Sequence, residues 1–517
     1  MPSRKALHFS IGKGLSDQWA KKTVGCCQRL PCGERIEPGD LIAAASERLF
    51  NRQPSSSTAG HALTPANARP KAMTKIPVYY LISDLHIGGE EALGVCDFED
   101  ELIGYLLELS GHTEEDVELI IVGDAFGLWE ITTVQGSEKL DAIVAQFPRI
   151  FETFRQVGRD IKITLLAGNH DYELACYPEF GERLKAYNIH LEQTPSIIRR
   201  IGHQRLWIEH GSQHDPANRV PDYGNPYAQP IGYFITRDVV GVAAQRSRLG
   251  RYNWLKDIQS VYPTEAIPTW ILSNYFYREM SPILRWIALP FLMFFSFSVF
   301  VVIGAGMEFA GVSDTNIFLN NQLFRSLGLL GSLLQLVLTA NAVILAVLIV
   351  LAFPGWFILR DVRQTARRFG LVLDPTKLTG QKEDAYLDAA RAVFQENPDV
   401  AAFIYGHTHA PSVRKIGDRA VINTGTWIKQ FQPVKVRFGI LPRIYVPRYC
   451  LSSFRISAQG KQIVVAYREV KKAPGRELTW LQRMLMSRRV SSLMEPVPEH
   501  TILEAHCDVF EDTRSRR

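Results

Sequence analysis

Cysteine is scarce in this chain and poorly placed for pairing. Seven thiols are spread over 517 residues, at positions 26, 27, 32, 96, 176, 450 and 507. An odd, scattered set excludes the disulfide framework of a small secreted domain. Cys26, Cys27 and Cys32 lie close together, but no fourth ligand follows at zinc-finger spacing, so reduced thiols in a mobile tail are the better reading. Strong charge of one sign is missing too. A formal net charge of +5 is too mild to imply nucleic acid as a partner, and none is expected. The N-terminal stretch lacks the apolar core of a secretory signal. Two long stretches lack charge altogether, residues 286–307 and residues 326–359. A bilayer core takes about 20 mainly apolar residues per helix. Uncharged runs of this length are rare in the helices of soluble cores.

What the chain does have is a series of apolar runs that end in metal-type side chains. Residues 78–89 read V-Y-Y-L-I-S-D-L-H-I-G-G. A short apolar run bounded by glycines suits a buried strand. Asp84 and His86 would sit just past its C-terminal end, where open α/β sheets bind ligands. Residues 97–109 follow with helical spacing at Phe98, Leu102, Leu106 and Leu109. A strand over 117–122 ends at Gly123-Asp124. A helix over 137–157, bent at Pro148, leads to a strand over 161–167 that ends at Gly168-Asn169-His170-Asp171. A short helix over 180–187 and a hairpin, 197–201 with 204–208, lead to Glu209-His210-Gly211. Residues 232–247 read as a helix. After the two uncharged runs the pattern resumes with a helix over 383–396 and a strand over 401–405 that ends at Gly406-His407-Thr408-His409. Two hairpins follow, 413–415 with 419–422 and 448–457 with 461–469. A basic amphipathic helix over 477–489 suits either an anionic membrane face or the surface of the sheet. Strand and helix alternate throughout, which is the α/β class.

The segmentation is therefore an extension without structure at 1–72, one α/β region at 73–280 and another at 360–472. Between them a transmembrane hairpin occupies 281–359, with spans at about 286–307 and 333–355. A basic helix and a disordered tail occupy 473–517. Met73 directly precedes the first strand and reads as a possible start of translation. Arg278 and Arg285 lie before the first span, and Arg360, Arg363, Arg367 and Arg368 follow the second. The loop between the spans offers Glu308, Asp314 and Arg325. Positive residues stay on the cytoplasmic side. The expectation is a multi-pass protein of the cell or inner membrane with its α/β part in the cytoplasm. Gln335 and Asn341 are polar, uncharged residues in the second span, suited to bonding across to the first.

Collected, the strand-end residues are Asp84, His86, Asp124, Asn169, His170, His210, His407 and His409. Oxygen and imidazole donors without thiolate suit manganese, iron or zinc. Any one of these histidines alone is more often structural than a ligand. The whole set at strand ends is not.

The order and local spelling of these motifs resemble the calcineurin-like metallophosphoesterases, over about residues 76–215 and 400–427. The resemblance implies a four-layer α/β/β/α sandwich, here with two inserted transmembrane helices, and two divalent cations, manganese first. One cation would be held by Asp84, His86 and His409, the other by Asn169, His210 and His407, with Asp124 bridging them. The metal-activated hydroxide would attack phosphorus in line. His170 matches the family's general acid or transition-state stabiliser, with Asp171 orienting its ring. One departure stands out. The family usually carries a second acid three residues after the bridging aspartate, and here that position is Gly127, in G-D-A-F-G-L-W-E. The rest of that phrase is similar to the branch containing UDP-2,3-diacylglucosamine pyrophosphatases, although those often have arginine where this chain has His170. His214, Asp215 and Asn218 are further candidates to line the site.

The lipid-cleaving relatives carry a helical lid in the interval that holds the hairpin here. The resemblance thus implies a phosphodiester or pyrophosphate substrate with a lipid tail, of a UDP-diacylglucosamine type. A phosphatase or phosphodiesterase on soluble substrates and a non-catalytic metal-binding scaffold are the alternatives. The oligomeric state is left open.

Overall fold

Side chains in β1 (Pro77–Ile82) alternate between two cores. Val78, Tyr80 and Ile82 face one, and Tyr79 and Leu81 face the other. The computed structural model describes residues 76–89, 96–112, 115–241, 257–261, 266–315, 317–318, 322–368, 375–437, 440–473, 475, 477–487 and 496–504. The N-terminal extension with its three clustered cysteines and the last residues of the chain lie outside these.

Next to β1 run β2 (Asp116–Val122), β3 (Lys162–Leu166) and β4 (Ile189–Glu192), all parallel. On the other side of β1, β12 (Leu451–Gln459), β13 (Gln462–Val470) and β14 (His500–Glu504) pair antiparallel, so seven strands form one mixed sheet. A second sheet of five strands has the order β5 (Ser196–Ile201), β6 (Gln204–Glu209), β7 (Val400–Tyr405), β9 (Arg419–Asn423), β8 (Ser412–Ile416). Its central strands β6, β7 and β9 are parallel. The inner faces of the two sheets share one core, with Leu81, Ile120 and Val122 opposite Ile208, Ile404 and Ile422. Helices cover the outer face of the large sheet. In α1 (Glu99–Ser110), Leu102, Tyr105, Leu106 and Leu109 are buried at helical spacing. The helix Pro375–Glu396 covers the small sheet through Tyr386, Ala390 and Phe394. The result is the α/β sandwich with layers α/β/β/α.

The expected single helix over 137–157 is two. α2 (Glu138–Gln146) stops at Phe147, whose backbone is not helical, and α3 (Pro148–Val157) begins with proline in its first turn. Proline fits there because its missing N–H would be unpaired anyway. α4 (Glu173–Cys176), α5 (Pro178–Lys185) and β4 then precede β5, and α4 and β4 were not expected. Helical turns cover Ile231–Phe234 and Ile235–Gly241, and the remainder of that expected helix lies outside the described residues. The C-terminal region also differs from expectation. Residues 500–504, read as tail, form the edge strand β14, with Leu503 buried in the inter-sheet core. The amphipathic helix is only Trp480–Leu485, closed at its start by a reciprocal Thr479–Gln482 capping box.

The two uncharged runs form helices, Pro282–Phe309 and Gly328–Arg368. Pro282–Phe309 and, within the second, Gly328–Asp361 are long and apolar enough to cross a membrane. Most of their surface is exposed. Asn341 of the second donates to Ser298 Oγ at 2.9 Å and to the Phe291 carbonyl at 3.1 Å on the first, tying the pair together. The foot of the first helix is packed into the α/β body. Leu289, Leu292 and Met293 meet Tyr277, Leu441, Ile444, Leu481 and Leu485. Leu441 and Ile444 belong to an antiparallel ribbon, β10 (Gln430–Val434) and β11 (Ile444–Arg448), and the turn between its strands.

Candidate metal centre

Parallel strands of both sheets end at one edge, and their last residues turn sharply. Asp84, His86, Asp124, His407 and His409 all have φ between 45° and 66°. Left-handed backbone is uncommon outside glycine, and Asp, Asn and His tolerate it best. The turns are held by backbone bonds that continue the sheet beyond its strands. His86 N–H donates to the Asp124 carbonyl at 2.9 Å, and Gly406 N–H donates to the His210 carbonyl at 2.9 Å. Close packing leaves no room for side chains at two of the glycines. A Cβ on Gly168 would lie 2.1 Å from Asp124 Oδ1, and one on Gly123 would lie 2.3 Å from His210 Nδ1.

The side chains of these strand-end residues converge. Asp84, His86 and His409 bring ligand atoms within 4.8 Å of one another, and so do Asp124, His210 and His407. Asp124 Oδ2 lies between, 3.6 Å from His86 Nε2 and 3.4 Å from His210 Nε2. Asn169 Oδ1 is 3.1 Å from His210 Nε2. The rings are oriented from behind. His210 Nδ1 donates to the Val122 carbonyl at 2.9 Å, which leaves Nε2 to face the cluster. His407 Nε2 lies 3.2 Å from Asp215 Oδ2.

These residues fit divalent cations on two observations. Asp84 is fully buried, and its Oδ1 points into the cluster, 3.1 Å from His409 Nε2. The Nε2 atoms of His86 and His409 face each other at 3.3 Å, an arrangement suited to a shared ligand. The electrostatics agree. Burial alone would raise the Asp124 carboxyl, but His210, His170 and His86 around it hold it well below the usual carboxylate range. Burial lowers the His210 imidazole, and the adjoining Asp124 more than offsets this, lifting it to about 10. Burial pushes His86 down to about 3. A carboxylate held ionised among imidazoles suits a pocket for positive charge.

Asp171 does not touch the His170 ring as expected. Its carboxylate points inward and accepts the backbone N–H groups of Gly168 at 2.6 Å, Ala125 at 2.8 Å and Phe126 at 3.2 Å. It staples the turn after β2 to the turn after β3. The ring is met instead by Glu130, whose Oε1 lies 2.8 Å from His170 Nδ1. Sequence reasoning missed Glu130, although it stands in the same G-D-A-F-G-L-W-E phrase. Burial lowers the His170 imidazole, but Glu130, with Asp124 and Asp171 nearby, raises it to about 9. Of the three further candidates, Asp215 reaches His407 and Asn218 bonds to Asp215 at 3.2 Å. His214 turns away, bonding Glu209 at 2.6 Å.

Residues 78–281 match the calcineurin-like phosphoesterase family. The match ends at the foot of the first apolar helix, so His407 and His409 lie beyond it. Among solved structures the chain is similar to a conserved uncharacterized protein of Streptococcus pneumoniae TIGR4, described as a predicted phosphoesterase. Identity there is 10% over 79% of this chain and 97% of that one, with a TM-score of 0.24. Vacuolar Protein Sorting 29 from Cryptosporidium parvum is 10% identical over 77% of this chain and 93% of that one, TM-score 0.24. A phosphopantetheinyl hydrolase from Mycobacterium tuberculosis is 11% identical over 68% and 90%, TM-score 0.22. Likenesses this distant add nothing to the family match. No curated protein matches the chain. The chain carries a calcineurin-like phosphoesterase domain and is a metal-dependent phosphoesterase.

Proposed function

We propose that this phosphoesterase domain works as a membrane-anchored two-metal hydrolase of a phosphodiester or pyrophosphate bond in a lipid-linked substrate. In this reading Asp84, His86 and His409 hold one divalent cation, and Asn169, His210 and His407 hold the other. Asp124 lies between them, a placement supported by its near-equal distances to His86 and His210. Bound there, the two cations would clamp the phosphoryl group and acidify water, with manganese as the first candidate and iron or zinc as alternatives. His170 has Nδ1 committed to Glu130, so Nε2 is the nitrogen left to steady the phosphoryl oxygens or protonate the leaving oxygen. Hydrolysis then breaks one P–O bond and adds the elements of water across it.

The observation that carries the lipid reading is the ribbon of β10 and β11. At one end Gln430 Nε2 donates to the His409 carbonyl at 2.6 Å. At the other, Ile440 N–H donates to the Leu292 carbonyl of the first apolar helix at 3.1 Å. The site and the foot of the hairpin are thus joined through one antiparallel ribbon and the turn between its strands. An aromatic lip supports the same reading: Tyr233 meets Trp129 edge-on at 5.7 Å, with half-exposed Ile231, Phe234 and Ile235 beside it. Trp286 and Trp480 stack at 6.0 Å at the foot of the hairpin, as interfacial aromatics do. Arg278 and Arg285 before the first span and Arg360 after the second support a cytoplasmic catalytic domain.

The deciding experiment offers UDP-2,3-diacylglucosamine and bis(p-nitrophenyl) phosphate to the purified full chain with Mn²⁺, with a chelator control. Metal-dependent release of UMP and lipid monophosphate supports the reading. Turnover of the nitrophenyl ester alone reduces the hairpin to an anchor for an enzyme of soluble substrates. Metal binding with no turnover of any ester favours a scaffold.

A further inference from the structure

Position 127 lacks the acid, and the space that acid would enter is filled. A Cβ built on Gly127 would lie 2.9 Å from Glu130 Oε2 and 3.6 Å from Glu130 Cδ. That is closer than real Cβ contacts come, so a side chain at 127 would require the Glu130 carboxylate to shift. Glu130 is 3% exposed. Its chain folds back three residues, which brings one carboxylate oxygen to the His170 ring and the other over Gly127. The Oε2 atom has no other hydrogen-bond partner among the described residues. A buried carboxylate with an oxygen unpaired is a standing expense unless its position serves something.

The ring it holds is boxed on its other sides. Trp129, itself buried, lies against His170 with centroids 4.3 Å apart and planes 33° from parallel. His86 meets the ring edge-on at 4.6 Å. A carboxylate oxygen 2.8 Å from Nδ1 accepts the Nδ1 proton, because a carboxylate has none of its own to give. The ring is thereby held from its Nδ1 side, which leaves Nε2 free of Glu130.

We propose that Glu130 is the positioning residue for His170, a relocated replacement for the acid absent at position 127. The pair Gly127 and Glu130 is one exchange. Glycine makes the room, and the glutamate carboxylate occupies it. The proposal rests on the phosphoesterase reading for its kinetic consequence, but its structural half stands without it.

The test compares the full chain, in detergent, with Glu130→Gln, Glu130→Ala and the double variant Gly127→Asp/Glu130→Ala. Gly127 does not have a positive φ, so it can carry a side chain once the glutamate is shortened. Glu130→Ala is expected to lower kcat on bis(p-nitrophenyl) phosphate about 10- to 100-fold with KM and Mn²⁺ affinity unchanged. The double variant is expected to recover most of that loss. The second readout needs no turnover. In the Zn²⁺-loaded chain, long-range ¹⁵N–¹H spectra of the histidine rings should show His170 protonated at Nδ1, mixed in Glu130→Ala and restored in the double variant. Glu130→Gln keeps the shape and reports whether folding survives. A Glu130→Ala chain that works at the wild-type rate overturns the proposal. So does an unaltered His170 spectrum, or a double variant that recovers neither rate nor spectrum. A wild-type chain that binds Mn²⁺ and cleaves no ester defeats the hydrolase reading instead, and the spectra still decide Glu130.

Discussion

At the scale of single residues, the two members of the pair His170-Asp171 have different work. His170 stands at the cluster with Nδ1 tied to Glu130, so truncating it should remove a transition-state interaction and leave the cation sites intact. His170→Ala is expected to lower kcat by about 10²–10⁴-fold while Mn²⁺ content, measured by elemental analysis, stays at the wild-type level. Asp171 acts on the backbone. Replacing it with alanine leaves the N–H groups of Gly168, Ala125 and Phe126 without their acceptor. Asp171→Ala is expected to destabilise the domain by about 1–3 kcal/mol, read as a lowered Tm. Unchanged stability with a purely kinetic defect would return Asp171 to the ring-orienting role the sequence suggested. That role looked natural from adjacency alone. The tight turn from Gly168 to Asp171 reverses the carboxylate into the body, and nothing in the spelling announces such a reversal. Glu130 was hidden for the opposite reason, since its partner is forty positions away and the phrase around it points to residue 127.

At the scale of elements, strands buried on both faces were legible because their apolar runs end abruptly at a ligand-type residue. Boundaries between helices were less so. The break at Phe147 follows from proline being good at a helix start and poor inside one, and a bend and a break read alike in sequence. The ribbon of β10 and β11 was missed because each strand carries a proline, Pro433 and Pro447, which usually argues against strand. The sheets are also joined by charge. Glu118 on β2 is largely buried and accepts from Arg199 on β5 at 2.9 Å and Thr164 on β3 at 2.6 Å. Burial raises its carboxyl, but Arg199, Thr164 and Lys162 outweigh this and the folded value is lowered. A lowered folded value means that the stabilisation is present above the unfolded value of about 4.3 and is lost as pH falls through the folded one. Glu118→Gln should therefore be less stable than wild type in thermal unfolding at pH 7, by about 1–3 kcal/mol. The gap should close as the buffer is taken toward pH 3. In the hairpin, Asn341→Ala removes the two bonds to the first helix and is expected to lower thermal stability by about 0.6–2 kcal/mol. Its kcat on a soluble ester should match wild type, because among the described residues Asn341 bonds only within the hairpin.

At the scale of the whole molecule, backbone bonds and left-handed turns hold the strand-end residues at one edge. Cation binding to the folded chain should add stability by mass action. At a free Mn²⁺ concentration about 100 times Kd the gain is about 2.7 kcal/mol, visible as a higher Tm that a chelator abolishes together with activity. A Tm indifferent to Mn²⁺ would remove the two-cation reading. The order of the chain has a consequence for synthesis. The body is cut by the hairpin between His210 and His407, and β7 pairs with β6 across that cut. A nascent chain that has made Asp84, Asp124, Asn169 and His210 still lacks two of the imidazoles. At about 5–20 residues per second, on the order of 10–40 s pass before they emerge. By then both apolar helices have left the ribosome. The candidate centre is therefore complete only after both apolar helices have been synthesised, so no fragment that ends before them carries the full set of strand-end residues.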